Sequence, residues 1–311
     1  MSRYHADLRL LARVIPPFTL TSRTLPIVRL ALPLVGRADP DVEVHTFPSG
    51  AGLRLFKPVD IKNDSPALLW IHGGGYVAGT ATQDDELCRR FAKTLGIVVA
   101  SVDYRLAPKF RYPAALDDCY AGLEWLSGLR AVDPQRIAVG GASAGGGLAA
   151  ATCLLARDRA QISPCFQLLV YPMLDDRTPP SCGLKGLFPL WNPDSNRFAW
   201  ESYLGTMTDR TQAVPARRAD LAGLPPTWIG VGSMDPLHDE ALLYGTRLID
   251  AGVPCTVDVV RGAFHGFDAL AKRKAVSRSF FGRQCEALAT AMVGQPFSGS
   301  PIDRPHVPRP P

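Results

Sequence analysis

Residues 136–147 read RIAVGGASAGGG, and the parsing of these twelve residues decides the fold. They open a stretch, Ile137 to Ala156, of 20 residues without a charge, long enough for a helix that crosses a bilayer. Its five glycines all fall within 140–147. That clustering reads better as a short buried strand, a tight turn and the start of a helix. Ser143 stands at the turn, inside Gly141-Ala142-Ser143-Ala144-Gly145, the one G-x-S-x-G of the chain. A sharp strand-to-helix turn puts its serine in strained backbone geometry and needs small residues two positions away on each side. It also exposes the hydroxyl and sets the Ala144 N–H at a helix N-terminus, where it can donate to an anion. Such pentapeptides also arise by chance, so the rest of the chain must supply partners.

Outward from this stretch, β-branched runs alternate with helical patterns. Strands are expected at 42–47, 53–58, 67–72, 97–103, 136–140, 166–171, 227–232 and 255–260, and helices near 83–95, 113–128, 144–158, 238–251 and 276–293. The first two strands are close enough to form a hairpin, and the others are spaced for crossovers. The expectation is an α/β fold with a mostly parallel eight-stranded sheet flanked by helices. With 311 residues, 46% hydrophobic and 20% charged, the chain can bury one large core.

Two segments break the rhythm. Residues 1–40 carry six arginines against two aspartates and are interrupted by prolines; residues 173–224 are proline-rich and hold Phe188, Trp191, Phe198, Trp200 and Tyr203. Both are read as lid material over the carboxyl ends of the strands, 1–40 as an N-terminal cap and 173–224 as an insertion in a catalytic domain spanning 41–294. A competing reading of the N-terminus lays it on an anionic membrane with Leu8, Leu11 and Ile15 as its apolar face; the cap is preferred. The stretch 295–311 is too proline-rich to pack and is expected to be a disordered tail.

Composition excludes several classes. Beyond residue 40 the charge is nearly balanced, which argues against a nucleic-acid groove. Seven scattered cysteines without a C-x-x-C fit neither a disulfide framework nor a zinc site. No signal-peptide core precedes the first charges, so a cytoplasmic location is expected. No H-E-x-x-H and no G-K-[ST] is present, so neither a metal nor a cofactor is expected.

In a parallel sheet, ligands bind beyond the carboxyl ends of the strands, and three further loops there carry chemistry. His72-Gly73-Gly74-Gly75-Tyr76 follows the third strand; glycine N–H groups can approach a reacting carbonyl and, with Ala144, form an oxyanion hole. A rival reading takes Gly73, Gly75 and Ala78 as a loose dinucleotide fingerprint with Asp103 as its acid, but no helix signal starts at these glycines. Asp235 lies two residues past the seventh strand and suits the acid that orients a base. Asp239 and Glu240 fall in a first helical turn, where the helix dipole alone favours acids. His265 sits on a glycine-flanked loop after the eighth strand, whereas the other five histidines have ordinary positions, His72 as a structural residue of the glycine turn. The chain order Ser143, Asp235, His265 is that of α/β-hydrolases.

Taken in order, HGGGY, DYRLAP, GASAGG, DPLHDE and HGF resemble the hormone-sensitive-lipase-like, or bacterial family IV, carboxylesterases over about residues 42 to 290. The resemblance implies Ser143 as nucleophile, His265 as base, Asp235 as acid, an oxyanion hole around Gly73, Gly74, Gly75 and Ala144, and a cap built from residues 1–40. It departs at Ala142, where the family commonly has an acid, and at Lys109, where it commonly has Glu. Asp103 and Arg105 of DYRLAP are read as a structural ion pair. The expected activity is hydrolysis of small-molecule carboxylic esters, of short to medium acyl chains, through an acyl-enzyme. A serine amidase or deacetylase on the same triad, or a ligand-binding protein on a retired hydrolase fold, are the alternatives. The sequence leaves a homodimer open.

Overall fold

The computed structural model describes residues 3–16, 18–35, 42–58, 61, 63–177 and 188–292, without side chains for 32–35. The elements run α1 (Arg9–Val14), α2 (Leu25–Val35), β1 (Glu43–Thr46), β2 (Gly52–Phe56), β3 (Ser65–Ile71), α3 (Asp85–Leu95), β4 (Val98–Asp103), α4 (Ala114–Ser127), β5 (Val132–Ala142), α5 (Ala144–Arg159), β6 (Phe166–Val170), α6 (Pro193–Leu204), β7 (Thr227–Gly232), α7 (His238–Asp250), β8 (Cys255–Val260), α8 (Phe267–Leu270) and α9 (Ala275–Met292). All eight expected strands are present. The sheet order is β1-β2-β4-β3-β5-β6-β7-β8. β1 pairs with β2, and β2 with β4, antiparallel; the remaining neighbours are parallel.

This order places the site. The chain steps from β3 to β4 on one side of the sheet, then returns to lay β5 on the other side of β3. The carboxyl ends of β3 and β5 therefore meet where the winding reverses, with Ile71 opposite Gly141, and an open parallel sheet offers its crevice at such a reversal. The glycine loop after β3 and the serine after β5 become neighbours although about 70 residues separate them.

The uncharged stretch that resembles a membrane span is β5 followed by α5. Twelve of the sixteen α5 residues are buried, because the helix is enclosed by the sheet and its neighbours. None of the described helices is long and apolar enough to cross a membrane. Glycine is required here for proximity: a Cβ on Gly145 would run into the Ile71 carbonyl, and one on Gly141 would meet the carbonyls of Gly145 and Ile71.

Both expected lid segments lie against each other. Leu8, Leu20 and Leu25 are buried, with Leu11 and Ile15 packed against the core. The Leu20 N–H donates to Ser195 Oγ at 2.8 Å, and Asn192 Nδ2 donates to the Phe18 carbonyl at 2.6 Å. Arg29 donates to the carbonyls of Val77 and Ala107. In the 173–224 segment, α6 stacks Tyr203 on Tyr76 at 4.3 Å. The buried Asp176 is clasped by Arg210 and Arg217, which hold its carboxyl below the usual carboxylate range.

Leu8, Leu11 and Ile15, the face that the competing reading laid on a membrane, are turned into the protein. One expectation is corrected. Asp103 and Arg105 do not pair: Arg105 forms its ion pair with Asp118 at 2.8 Å, while Asp103 accepts from the Ala81 N–H at 2.9 Å. Asp118, on α4, faces Arg105 and accepts from both its backbone N–H and its guanidinium. The stretch 295–311 lies outside the described residues, as do parts of both lid segments.

Candidate active site

Ser143 joins β5 to α5 with φ 57° and ψ −119°, a strained conformation for a residue with a side chain. The surroundings over-determine it. Its N–H donates to the Val170 carbonyl, and its own carbonyl accepts from Gly147 and Met173. The hydroxyl is thereby fixed at the start of α5, and the helix dipole places partial positive charge beside it.

His265 and Asp235 come to this serine from the two strands nearest the far edge of the sheet. His265 Nε2 is 2.9 Å from Ser143 Oγ, and its Nδ1 is 2.8 Å from Asp235 Oδ2. The second Asp235 oxygen accepts from the Leu237 N–H at 2.9 Å. Because a carboxylate only accepts, the proton on the neutral imidazole sits at Nδ1 and leaves Nε2 free to take one from the serine. All three side chains are buried, so their mutual interactions are little screened.

The glycine loop lies beside them. A Cβ on Gly73 would stand 3.4 Å from the Ser143 Cβ, so its backbone abuts the serine. Gly74 and Gly75 have φ +127° and +61°, and this turns the chain back over the site. Among the described residues, no group accepts from the N–H of Gly74, Gly75 or Ala144, and uncommitted donors on the loop that abuts the serine and at the start of its helix suit an oxyanion hole. His72 has the structural role expected of it. It is buried, stacks on Tyr104 at 4.3 Å, and donates from Nδ1 to the Gly73 carbonyl at 2.7 Å. Burial holds its imidazole below the usual range. The dinucleotide reading has no place here, since no helix starts at these glycines: a short 3-10 turn at Ala81–Asp84 comes next, and the first α-helix, α3, begins at Asp85.

The structure adds residues that the motifs did not flag. Trp191, from the insertion, lies 6.0 Å from the His265 ring, and its edge would clash with a Cβ on Gly75. Tyr171, φ +35°, meets the His265 ring edge-on and donates its hydroxyl to Asp268 at 2.9 Å. The pair TyrPro directly after β6 was the available signal. Glu240 also does more than complement a helix dipole: it accepts from the N–H groups of Leu174 and Asp175 and anchors the insertion, and burial raises its carboxyl well above the usual range.

Ala142 has a physical context as well. Its side chain lines a cavity of about 490 Å³ shared with Asp84, Asp268 and Tyr171. Burial raises both carboxyls, that of Asp84 to about 6. Glu86 and the cations Arg90, Lys272, Arg273 and Arg278 line the same cavity, and nothing in the structure explains alanine at position 142.

The chain is similar to known proteins. Residues 68–269 match the model of a family described by its alpha/beta hydrolase fold. The chain is 37% identical over 225 residues to Esterase LipI of Mycobacterium tuberculosis, covering 70% of each. It is 34% identical over 235 residues to the ethyl acetate hydrolase of Pseudomonas putida, covering 72% of each. Among solved structures, a bacterial heroin esterase superposes with a TM-score of 0.86 at 34% identity, over 93% of this chain and 98% of that one. The chain belongs to the α/β-hydrolase fold family, in its hormone-sensitive-lipase-like, bacterial family IV, group of carboxylesterases.

Proposed function

We propose that the chain hydrolyses carboxylic esters of short to medium acyl chains, with Ser143 as nucleophile, His265 as general base and acid, and Asp235 as the acid that orients it. As Ser143 Oγ attacks the ester carbonyl, its proton passes to His265 Nε2, and Asp235 stabilises the imidazolium. The carbonyl oxygen, now an anion, is held by the N–H groups of the glycine loop and Ala144. Collapse of the intermediate expels the alcohol, which takes the proton back from His265. Water then repeats the sequence on the acyl-serine, with His265 removing its proton, and the carboxylic acid leaves.

The observation that carries this reading is the unbroken run Ser143–His265–Asp235, at 2.9 and 2.8 Å, with the glycine loop abutting the serine at Gly73. Trp191 over Gly75 and His265 supports a compact acyl site, as does the likeness to an ethyl acetate hydrolase. The six described cysteines are free thiols, in keeping with a reducing, cytoplasmic compartment.

The test is a series of nitrophenyl esters of increasing acyl length, run on the wild type and on Ser143→Ala. The expected result is a rate optimum at short to medium chains and a loss of about 10⁴-fold or more in the variant. A variant that keeps most of the wild-type rate overturns the mechanism; an optimum at long chains overturns the substrate class alone.

A further inference from the structure

The cap segment is apolar on two sides, and the protein buries one of them. Leu8, Leu20 and Leu25 point inward, backed by Leu11 and Ile15. The outward set is as apolar: Leu10 and Leu30 are 74% and 77% exposed, Val14 and Ile27 63% and 68%, and Phe18 38%. Leu10 and Val14 are one turn apart on α1. Pro26, Ile27, Leu30 and Ala31 form two adjoining rows on α2, all exposed. Exposed apolar groups gathered on one segment mark an interaction surface.

Charge identifies the cover. Arg9, Arg13 and Arg23 are exposed around these residues. The single acid among residues 3–31, Asp7, is turned away and accepts from the Val276 N–H, while Arg29 is engaged inward. A second copy of the chain would match the apolar groups but set arginine against arginine with no carboxylate between them. An anionic lipid surface satisfies both features, because it offers negative headgroups above an apolar interior.

We propose that the outward face of residues 9–31 docks the protein on an anionic lipid surface and that its ester substrates are drawn from molecules dissolved there. The site is close to this face: the Phe18 carbonyl is bonded to Asn192, next in sequence to Trp191, whose ring faces His265. The substrate half rests on the ester-hydrolase reading; the docking half does not.

Docking is measured with full-length Ser143→Ala protein, so binding is scored without turnover. Flotation with phosphatidylcholine vesicles is compared with flotation when part of the lipid is phosphatidylglycerol. Binding is expected to the anionic vesicles only and to weaken with salt. Arg9→Gln with Arg13→Gln should weaken it roughly thirtyfold, about fivefold for each arginine near an anionic surface. Leu10→Gln with Leu30→Gln should weaken it about tenfold or more. In an otherwise wild-type chain both double variants should hydrolyse a water-soluble nitrophenyl ester at the unaltered rate, yet lose activity on the same acyl group carried by a vesicle-bound ester. Absence of binding to anionic vesicles, or equal binding by the variants, overturns the proposal. So does a dimer, seen by light scattering, that Leu10→Gln with Leu30→Gln dissolves. Loss of soluble-ester hydrolysis in the wild type would sink the hydrolase reading and leave docking standing.

Discussion

The ring of Tyr171 meets the imidazole of His265 edge-on, with centroids 4.7 Å apart and planes at 63°. Tyr171 holds this position from a left-handed backbone, φ +35°, with its hydroxyl tied to Asp268. Backbone strain of this kind persists only where the surroundings enforce it. The tyrosine braces the imidazole through this one edge-on ring contact. Tyr171→Phe keeps the ring and loses one hydrogen bond; stability should fall by about 1–2 kcal/mol, with kcat within a few-fold of wild type. Tyr171→Ala removes the brace and should lower kcat by about 10², since a displacement of about 1 Å can cost that much. Chemical denaturation alongside steady-state kinetics separates the two effects.

Asp235→Asn tests the orienting acid. An amide can present its N–H to His265 Nδ1 and so favour the tautomer that carries the proton on Nε2, where it cannot accept from Ser143. The expected loss in kcat is about 10⁴-fold at neutral pH, with little change in KM. Equal kcat would remove Asp235 from the mechanism.

Gly75→Ala tests the oxyanion loop. The added Cβ would lie 2.6 Å from the edge of Trp191 in a backbone with φ +61°, so both space and conformation oppose it. The loop must shift, and the loss of one aligned donor should reduce kcat by about 10² to 10³. A rate near wild type would place the anion-binding donors elsewhere.

Asp84 makes stability depend on pH. Its carboxyl is raised to about 6 by burial, against an unfolded value of about 3.9, so the fold favours the protonated form. That contribution is complete below about pH 4 and is lost as pH rises through about 6, a change of about 3 kcal/mol. Asp84→Asn keeps an acceptor for the Trp70 indole N–H, which donates to Asp84 at 2.8 Å, and removes the ionisation. The variant should match the wild type near pH 4 and exceed its stability near pH 7. Denaturation midpoints across this range check the sign, and a wild-type curve with no such decline contradicts it.

How much of this was legible in the chain follows from which interactions are local. The central strands β3 to β7 are apolar runs whose burial on both faces leaves a near-continuous hydrophobic signature, while the edge strands β1 and β8, largely exposed or half-buried, were read from their β-branched residues. Boundaries shifted where pairing extended them: β5 begins at Val132, four residues before its apolar run at Arg136 suggests, because Val132 pairs with Ser65 across a bulge. The residues Ser143, Asp235 and His265 were legible because each follows a strand and their order is restricted by the fold. Arg105 was paired with the wrong aspartate because sequence adjacency says nothing about which carboxylate α4 brings round. Glu240 looked like a helix-end charge until the insertion folded back to offer it two N–H groups.

The sequence by itself determined the elements, the strained serine turn and the identity of the three polar side chains, because turn chemistry and periodicity act over a few residues. Only the tertiary structure decided that β3 and β5 meet at the reversal of the sheet, that Tyr171 braces His265, and which face of the N-terminal helices stays outside. Those are contacts between residues far apart in the chain. They depend on the sheet order and on packing, neither of which a local pattern of residues encodes.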